Sequence, residues 1–189
     1  MIDPKSIAFD IDGVVADTMQ LFIDIACQDY GVDWILYDDI TSYRLEKCLD
    51  LDPKIIRDIL RRLLDGDYEI PLYPVEGAAK ALGRIGNRHP LLMVTARPVM
   101  GPIRQWLEAL LNPYGVTSEI ILTGNFEAKA DVLLERKMTH FVEDRLETCF
   151  LLDKSGIVPI LFKQPWNRQP HPFTEVATWD DLAGLIDCQ

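Results

Sequence analysis

Histidine is scarce in this chain: His89, His140 and His171 are the only three in 189 residues, and no two share metal-ligand spacing. A zinc centre is disfavoured on that ground. Cys27, Cys48, Cys149 and Cys188 form no C-x-x-C pair and fall far short of the density of a secreted disulfide scaffold, so they read as reduced thiols. No segment approaches the ~20 apolar residues of a membrane span, and no basic stretch followed by an apolar signal core opens the sequence. A cytoplasmic address without a membrane partner is the expectation. Positive charge is also short, with 19 Lys and Arg against 30 Asp and Glu and a net charge of -11. A nucleic acid polymer or an anionic membrane surface is a poor partner for such a chain, because both need clustered cations. Low-complexity tracts and internal repeats are lacking too, which argues against disorder and solenoids. Any metal bound here should be held by oxygen.

What is present is the composition of a globular protein, 48% hydrophobic and 26% charged, at a length suited to one domain with a sizeable insert. The organising stretch is Ile7-Ala8-Phe9-Asp10-Ile11-Asp12-Gly13-Val14-Val15. Its first three residues form an unbroken apolar run, as in a parallel strand covered on both faces. Asp10 then marks the strand's exit from the core. Asp12 follows one residue later, and Gly13 permits a turn or a close backbone approach. The two carboxylates could converge on one ligand, or they could simply end a strand and cap the following helix.

Periodicity predicts a helix from about Met19 to Tyr30, closed by Gly31, and a loop over residues 32–42. A short helix capped by Thr41 or Ser42 should run to Leu49, and Asp52-Pro53 should open a stronger one ending at Asp65-Gly66-Asp67. Gly77 to Ile85 reads as a helix closed by Gly86, and Leu91 to Val94 as the second buried strand. From there strand and helix alternate: a helix from Pro102, a strand at Ile120 to Leu122, a helix from Phe126 to Lys137, and a strand at Phe141-Val142. A helix near Glu147 to Asp153, a strand at Val158 to Phe162, an irregular proline-rich segment and a helix from Trp179 to Ile186 complete the chain. This is the pattern of an α/β, doubly wound parallel (Rossmann-like) sheet.

A strand-helix-strand unit needs on the order of 30 residues, yet the first two strands are separated by far more. A helical insert after the first strand is implied. The expected division is a core of residues 1–16 and 74–189 with a small helical cap at 17–73, emerging beside Asp10 and Asp12 as a lid.

Ligands of open parallel sheets bind beyond the carboxyl ends of the strands. Asp10, Asp12, Thr95 and Glu143-Asp144 all follow apolar strands, and Lys129 sits in the first turns of a helix. Taken singly, Thr95 could be a cap, Lys129 a solvated lysine and the acids a helix start. Together, carboxylates for a hard cation and a hydroxyl and an ammonium for phosphate oxygens suit phosphoryl transfer.

Asp10-x-Asp12-Gly13-Val14, Thr95, Lys129 and Glu143-Asp144 resemble, in order, the four motifs of the haloacid dehalogenase (HAD) superfamily, and the insert resembles its first type of helical cap. The Thr95-Ala96-Arg97 turn, Glu143-Asp144-Arg145 and the Pro165-Trp166-Asn167-Arg168 segment are most similar to the 5'(3')-deoxyribonucleotidase and bacterial nucleotidase group. The resemblance implies a magnesium-dependent phosphatase acting on a small-molecule phosphomonoester through an aspartyl-phosphate. Asp10 would be the nucleophile and Asp12 the general acid and base. Mg2+ would be held by Asp10, the backbone carbonyl of Asp12 and Asp144, with Glu143 supporting; Thr95, Ala96 and Lys129 would hold phosphoryl oxygens. Lys137 is the fallback for Lys129. Glu143 departs from the superfamily's commoner Asp. Nucleoside monophosphates are the expected substrates, since Phe22, Trp34, Tyr37 and Tyr43 in the insert could stack on a base, unless those rings form the insert's own core. A sugar phosphate is the competing substrate, and a phospho-acceptor domain or a non-catalytic nucleotide-binding protein are the competing classes. The oligomeric state stays open.

Overall fold

In the computed structural model, which describes residues 1–187, β1 (Ile7–Phe9) is followed by α1 (Thr18–Tyr30), α2 (Pro53–Asp65), α3 (Ala78–Ile85), β2 (Leu91–Thr95), α4 (Ile103–Leu111) and β3 (Ser118–Leu122). Then come α5 (Lys129–Glu135), β4 (His140–Glu143), α6 (Leu146–Lys154), β5 (Val158–Phe162), β6 (Thr174–Val176) and α7 (Trp179–Leu185). The six strands form one parallel sheet in the order β3-β2-β1-β4-β5-β6. That order reverses beside β1, so the switch point, where doubly wound sheets hold ligands, lies between the carboxyl ends of β1 and β4.

Alternation along the strands decides which side chains meet which helices. Ile7, Phe9 and Val142 pack with Leu82 of α3, Leu107 of α4 and Trp179 of α7, whereas Ala8 and Phe141 pack with Leu133 of α5 and Leu152 of α6. Burying a ring such as Phe9 or Phe141 contributes on the order of 2–3 kcal/mol. The same alternation carries past the strand ends: Asp10 continues the phase of Ala8, and Glu143 that of Phe141, so both turn toward α5. Trp179, wholly buried, props the loop beyond β1 by donating its indole N–H to the Val14 carbonyl at 2.9 Å.

The helical unit leaves and rejoins the core through an antiparallel clasp. Asp17 N–H donates to the Tyr73 carbonyl and Val75 N–H to the Val15 carbonyl, each at 2.9 Å. Inside it, α1 and α2 share an apolar cluster with Val32, Ile35, Ile40, Leu45 and Leu49. Their ends follow the local chemistry: Asp52 accepts from Lys54 N–H with Pro53 opening α2, and left-handed Gly31 and Gly66 close α1 and α2.

Three elements differ from the sequence expectation. The short helix ending at Leu49 is a single 3-10 turn, Leu45–Lys47; Ser42 Oγ accepts from Arg44 N–H, a local bond that competes with helix. The helix expected from Phe126 starts only at Lys129, because Asn125 Oδ1 takes the Ala128 N–H and holds the preceding residues in a turn. The proline-rich segment contains β6, a three-residue edge strand with Val176 alone buried, too short to show a period. Among the described residues, no helix is long and apolar enough to cross a membrane.

Candidate active site

Lys129 is the first residue of α5 and has no solvent exposure. Its ammonium lies 2.7 Å from Asp10 Oδ2 and 2.8 Å from Glu143 Oε2. Burial alone would lower the lysine pKa, but Asp10 and Glu143 outweigh it and hold it above the ordinary range. Asp10 Oδ1 accepts from Ile11 N–H at 2.8 Å, and Glu143 Oε1 from Arg145 N–H at 3.0 Å. Asp144 completes the group: one carboxylate oxygen from each of Asp10, Glu143 and Asp144 lies within 4.8 Å of the others. Burial raises the pKa of Asp10 well above the carboxylate range, with Lys129 pulling it down and Glu143 and Asp12 pushing it up. Asp144 is raised as well, by burial and then by Glu143 and Asp10.

Three carboxylates against one ammonium leave two formal negative charges in a buried place. A divalent cation would cancel them, and an all-oxygen donor set suits a hard one. Glu143 stands in the cluster beside the two aspartates. Asp12 does not: its carboxylate is held by Arg97, whose Nε and Nη2 donate at 2.8 and 2.6 Å to its two oxygens.

Asp10, Asp12, Thr95, Ala96 and Arg97 line one cavity of about 250 Å3, roofed by Met19, Tyr43, Leu60, Leu63, Leu64 and Phe126. Thr95, at the end of β2, accepts the Arg97 N–H at 3.3 Å. A wider groove of about 790 Å3 shares Met19, Tyr43, Leu60 and Phe126 with this cavity. Of the four rings expected in a lid, Tyr43 reaches the cavity, Phe22 is fully buried in the apolar cluster of α1 and α2, Trp34 is exposed, and Tyr37 donates to Asp17 and Gln164. Lys137 is exposed and lines neither the cavity nor the groove.

Two sets of residues had no role assigned from the sequence. Arg97 stood inside a quoted motif without a role, although a cation two residues after a strand-end hydroxyl is placed to meet strand-end acids. Gln164, Trp166 and Asn167 follow β5 and so belong to the same sheet edge. Gln164 Nε2 donates to the Gly13 carbonyl at 2.7 Å, Trp166 Nε1 to Asp144 Oδ2 at 2.9 Å, and Asn167 Nδ2 to the Asp144 carbonyl at 2.7 Å. Gly13 itself, at φ +73, leaves no room for a side chain: a Cβ there would sit 2.2 Å from Asp144 Oδ2.

The sequence profile of the family described as 5' nucleotidase, deoxy (pyrimidine), cytosolic type C protein (NT5C) matches residues 4–189. No curated protein matches the sequence. Solved structures resemble the fold along its length. A HAD-superfamily hydrolase from Ehrlichia chaffeensis is 15% identical, with 98% of this chain and 97% of that one covered and a TM-score of 0.58. A HAD-superfamily hydrolase of subfamily IA from Geobacter sulfurreducens is 16% identical, with 98% and 100% covered and a TM-score of 0.57. The magnesium-bound HAD-hydrolase YfnB from Bacillus subtilis is 13% identical, with 95% and 96% covered and a TM-score of 0.59.

Proposed function

From the premise that the chain belongs to this HAD-like 5'-nucleotidase family, we propose that it is a magnesium-dependent phosphomonoesterase acting on nucleoside monophosphates in the cytoplasm, with residues 17–73 as its cap. The observation that carries the reading is the pairing of a buried, over-charged carboxylate cluster around Lys129 with a separate carboxylate, Asp12, held at the cavity wall by Arg97.

Asp10 is the nucleophile. Its carboxylate is fixed by Ile11 N–H and the Lys129 ammonium and attacks phosphorus, so that an Asp10 O–P bond forms as the ester O–P bond breaks. Asp12 gives a proton to the departing alkoxide and then takes one from the water that hydrolyses the aspartyl-phosphate. Arg97 holds Asp12 at the cavity wall; for the first step one of its two prongs yields so that an Asp12 oxygen carries the proton it gives, and the full contact returns once Asp12 is ionised. Thr95, the backbone at Ala96 and Lys129 offer donors to the phosphoryl oxygens. Asp10, Glu143 and Asp144, with the Asp12 carbonyl, would hold Mg2+, which supplies charge neutralisation at the phosphoryl group and keeps Asp10 ionised. Leu60, Leu63 and Leu64 exclude water that would otherwise compete for those donors.

At about 250 Å3 the inner cavity alone is small beside the ~300–1,000 Å3 of typical ligand sites, which favours a sugar phosphate as the second reading. The groove beyond Tyr43 and Phe126, which shares four lining residues with the cavity, adds space beside it and supports the nucleotide reading. Phosphate release from a panel of nucleoside monophosphates and sugar phosphates, with and without Mg2+, tests the proposal. The expected result is metal-dependent turnover, lost in Asp10→Asn. A preference of at least about tenfold in kcat/KM for nucleotides, roughly 1.4 kcal/mol, should accompany it. Turnover that persists in Asp10→Asn removes the nucleophile, and a flat profile removes the nucleotidase assignment.

A further inference from the structure

Asp144 owes its position to a segment that the catalytic reading leaves unused. The indole N–H of Trp166 donates to Asp144 Oδ2 at 2.9 Å, and Asn167 Nδ2 bridges the Asp144 carbonyl at 2.7 Å and the Phe162 carbonyl at 2.8 Å. These bonds fix one oxygen of the carboxylate and the backbone behind it. The same indole is 4% exposed and packs in the apolar cluster of the helical unit, with its ring 6.0 Å from that of Tyr37. Trp166 therefore belongs at once to the acid cluster of the core and to the hydrophobic interior of the unit above it.

Other contacts strap the two together at this point. Gln164 donates to the Gly13 carbonyl and accepts from Tyr37 Oη at 3.2 Å, while Arg168 pairs with Asp38 at 2.8 Å. The exposed Arg168–Asp38 pair adds little by itself. The buried indole adds more, because lifting the helical unit would strip Trp166 of its packing and Asp144 of its donor together.

We propose that Trp166 is a positioning residue that couples seating of the helical unit to occupancy of the Asp10-Glu143-Asp144 cluster by a divalent cation. The inference rests on the reading of that cluster as the Mg2+ site. A hydrogen bond to a ligating carboxylate orients it, and removal of such a partner typically weakens metal binding by ~10–100-fold. Linkage makes the effect reciprocal: whatever seating gives to the cation, the cation returns to seating.

Two measurements on the full chain test this, with Mg2+ itself as the probe. Calorimetric titration should show Trp166→Phe binding Mg2+ at least about tenfold more weakly than the wild type, roughly 1.4 kcal/mol, although its ring still fills the apolar cluster. Hydrogen exchange should show Mg2+ protecting the amides of Asp39 and Ile40, which close the turn carrying Tyr37 through Leu36 and Tyr37 carbonyls. That protection should disappear in Trp166→Phe at saturating Mg2+. Tyr37→Phe, which keeps every donor to Asp144, should reduce the same protection and lower affinity less. A Trp166→Phe protein that melts earlier but binds Mg2+ as the wild type does has lost only packing, and the proposal falls. Wild-type protein that hydrolyses phosphomonoesters with Mg2+ while the Asp39 and Ile40 amides ignore the metal also overturns it, and leaves the catalytic reading standing. Wild-type protein that binds no Mg2+ overturns both.

Discussion

Lys129→Met replaces a wholly buried ammonium by a side chain of similar length and no charge. The ammonium donates at 2.7 and 2.8 Å to two buried carboxylates. Breaking a buried ion pair from one side costs about 3–5 kcal/mol, since the remaining charge is left without a partner. For a chain of this size that corresponds to a fall in Tm of about 6–20 °C. The loss depends on pH. Lys129 is the leading influence that lowers the Asp10 pKa, so without it Asp10 rises further and a proton takes over part of the ammonium's role. A proton that the variant holds and the wild type does not relieves about 1.4 kcal/mol for each pH unit over which that difference lasts. Urea denaturation of metal-free wild type and Lys129→Met at about pH 7.5 and about pH 5 should therefore show a larger deficit at the higher pH than at the lower. Adding Glu143→Gln to the variant should recover part of the deficit at the higher pH, because the two positions share one network. A deficit below about 1 kcal/mol at pH 7.5, or an equal deficit at both pH values, would refute the reasoning.

Gly13→Ala places a methyl 2.2 Å from Asp144 Oδ2 on a backbone at φ +73; left-handed strain alone costs about 1–2 kcal/mol, so thermal melts should fall by several degrees and Mg2+ titration should weaken, and an unchanged melt would show that the loop yields. Arg97→Gln frees the Asp12 carboxylate and should lower kcat by about 10²-fold, the lower end of the general acid-base contribution, with a smaller effect on KM; Arg97→Lys should restore little, since a single ammonium cannot reproduce the two-pronged contact. The metal-free protein should lose stability as pH rises above about 4, because Asp10 and Asp144 have raised pKa values and the folded state holds more protons than the unfolded chain until those values are passed. The Tm gain from Mg2+ should accordingly be larger at about pH 7.5 than at about pH 5, and a gain independent of pH would separate the cation from these acids.

Most of the sheet could be read in advance because its inner strands are buried on both faces and announce themselves as apolar runs. Asp10, Thr95, Glu143 and Asp144 were legible for the same reason, as polar residues standing where such runs stop. Lys129 was legible as a helix-start cation, though its depth was not: a lysine at 0% exposure is set by the alternation that turns Asp10 and Glu143 toward α5. The Arg97–Asp12 pair joins residues whose spacing in sequence carries no period, and only the β1–β2 adjacency brings them together. Trp166 was visible only within the Pro165-Trp166-Asn167-Arg168 resemblance, and its bond to Asp144 was not, since prolines around it suppress any regular pattern. Strand β6 and the 3-10 turn at Leu45–Lys47 are each three residues long, too short for either periodicity to repeat twice.

The strand order has a kinetic consequence. β2 pairs with β3, β4 with β5 and β5 with β6, each a neighbour along the chain, but β1 pairs with β2 across the entire helical unit and with β4 across more than half the chain. Closing a long loop costs entropy before its contacts repay it, so near neighbours associate first. Two partial sheets, β2-β3 and β4-β5-β6, are thus the expected early products, with β1 as the keystone that joins them. Asp10 rides on the end of that keystone. The repulsion between Asp10 and the Glu143-Asp144 pair, which already stands together at the end of β4, is consequently deferred to the last step of assembly, when β1 docks between the two partial sheets.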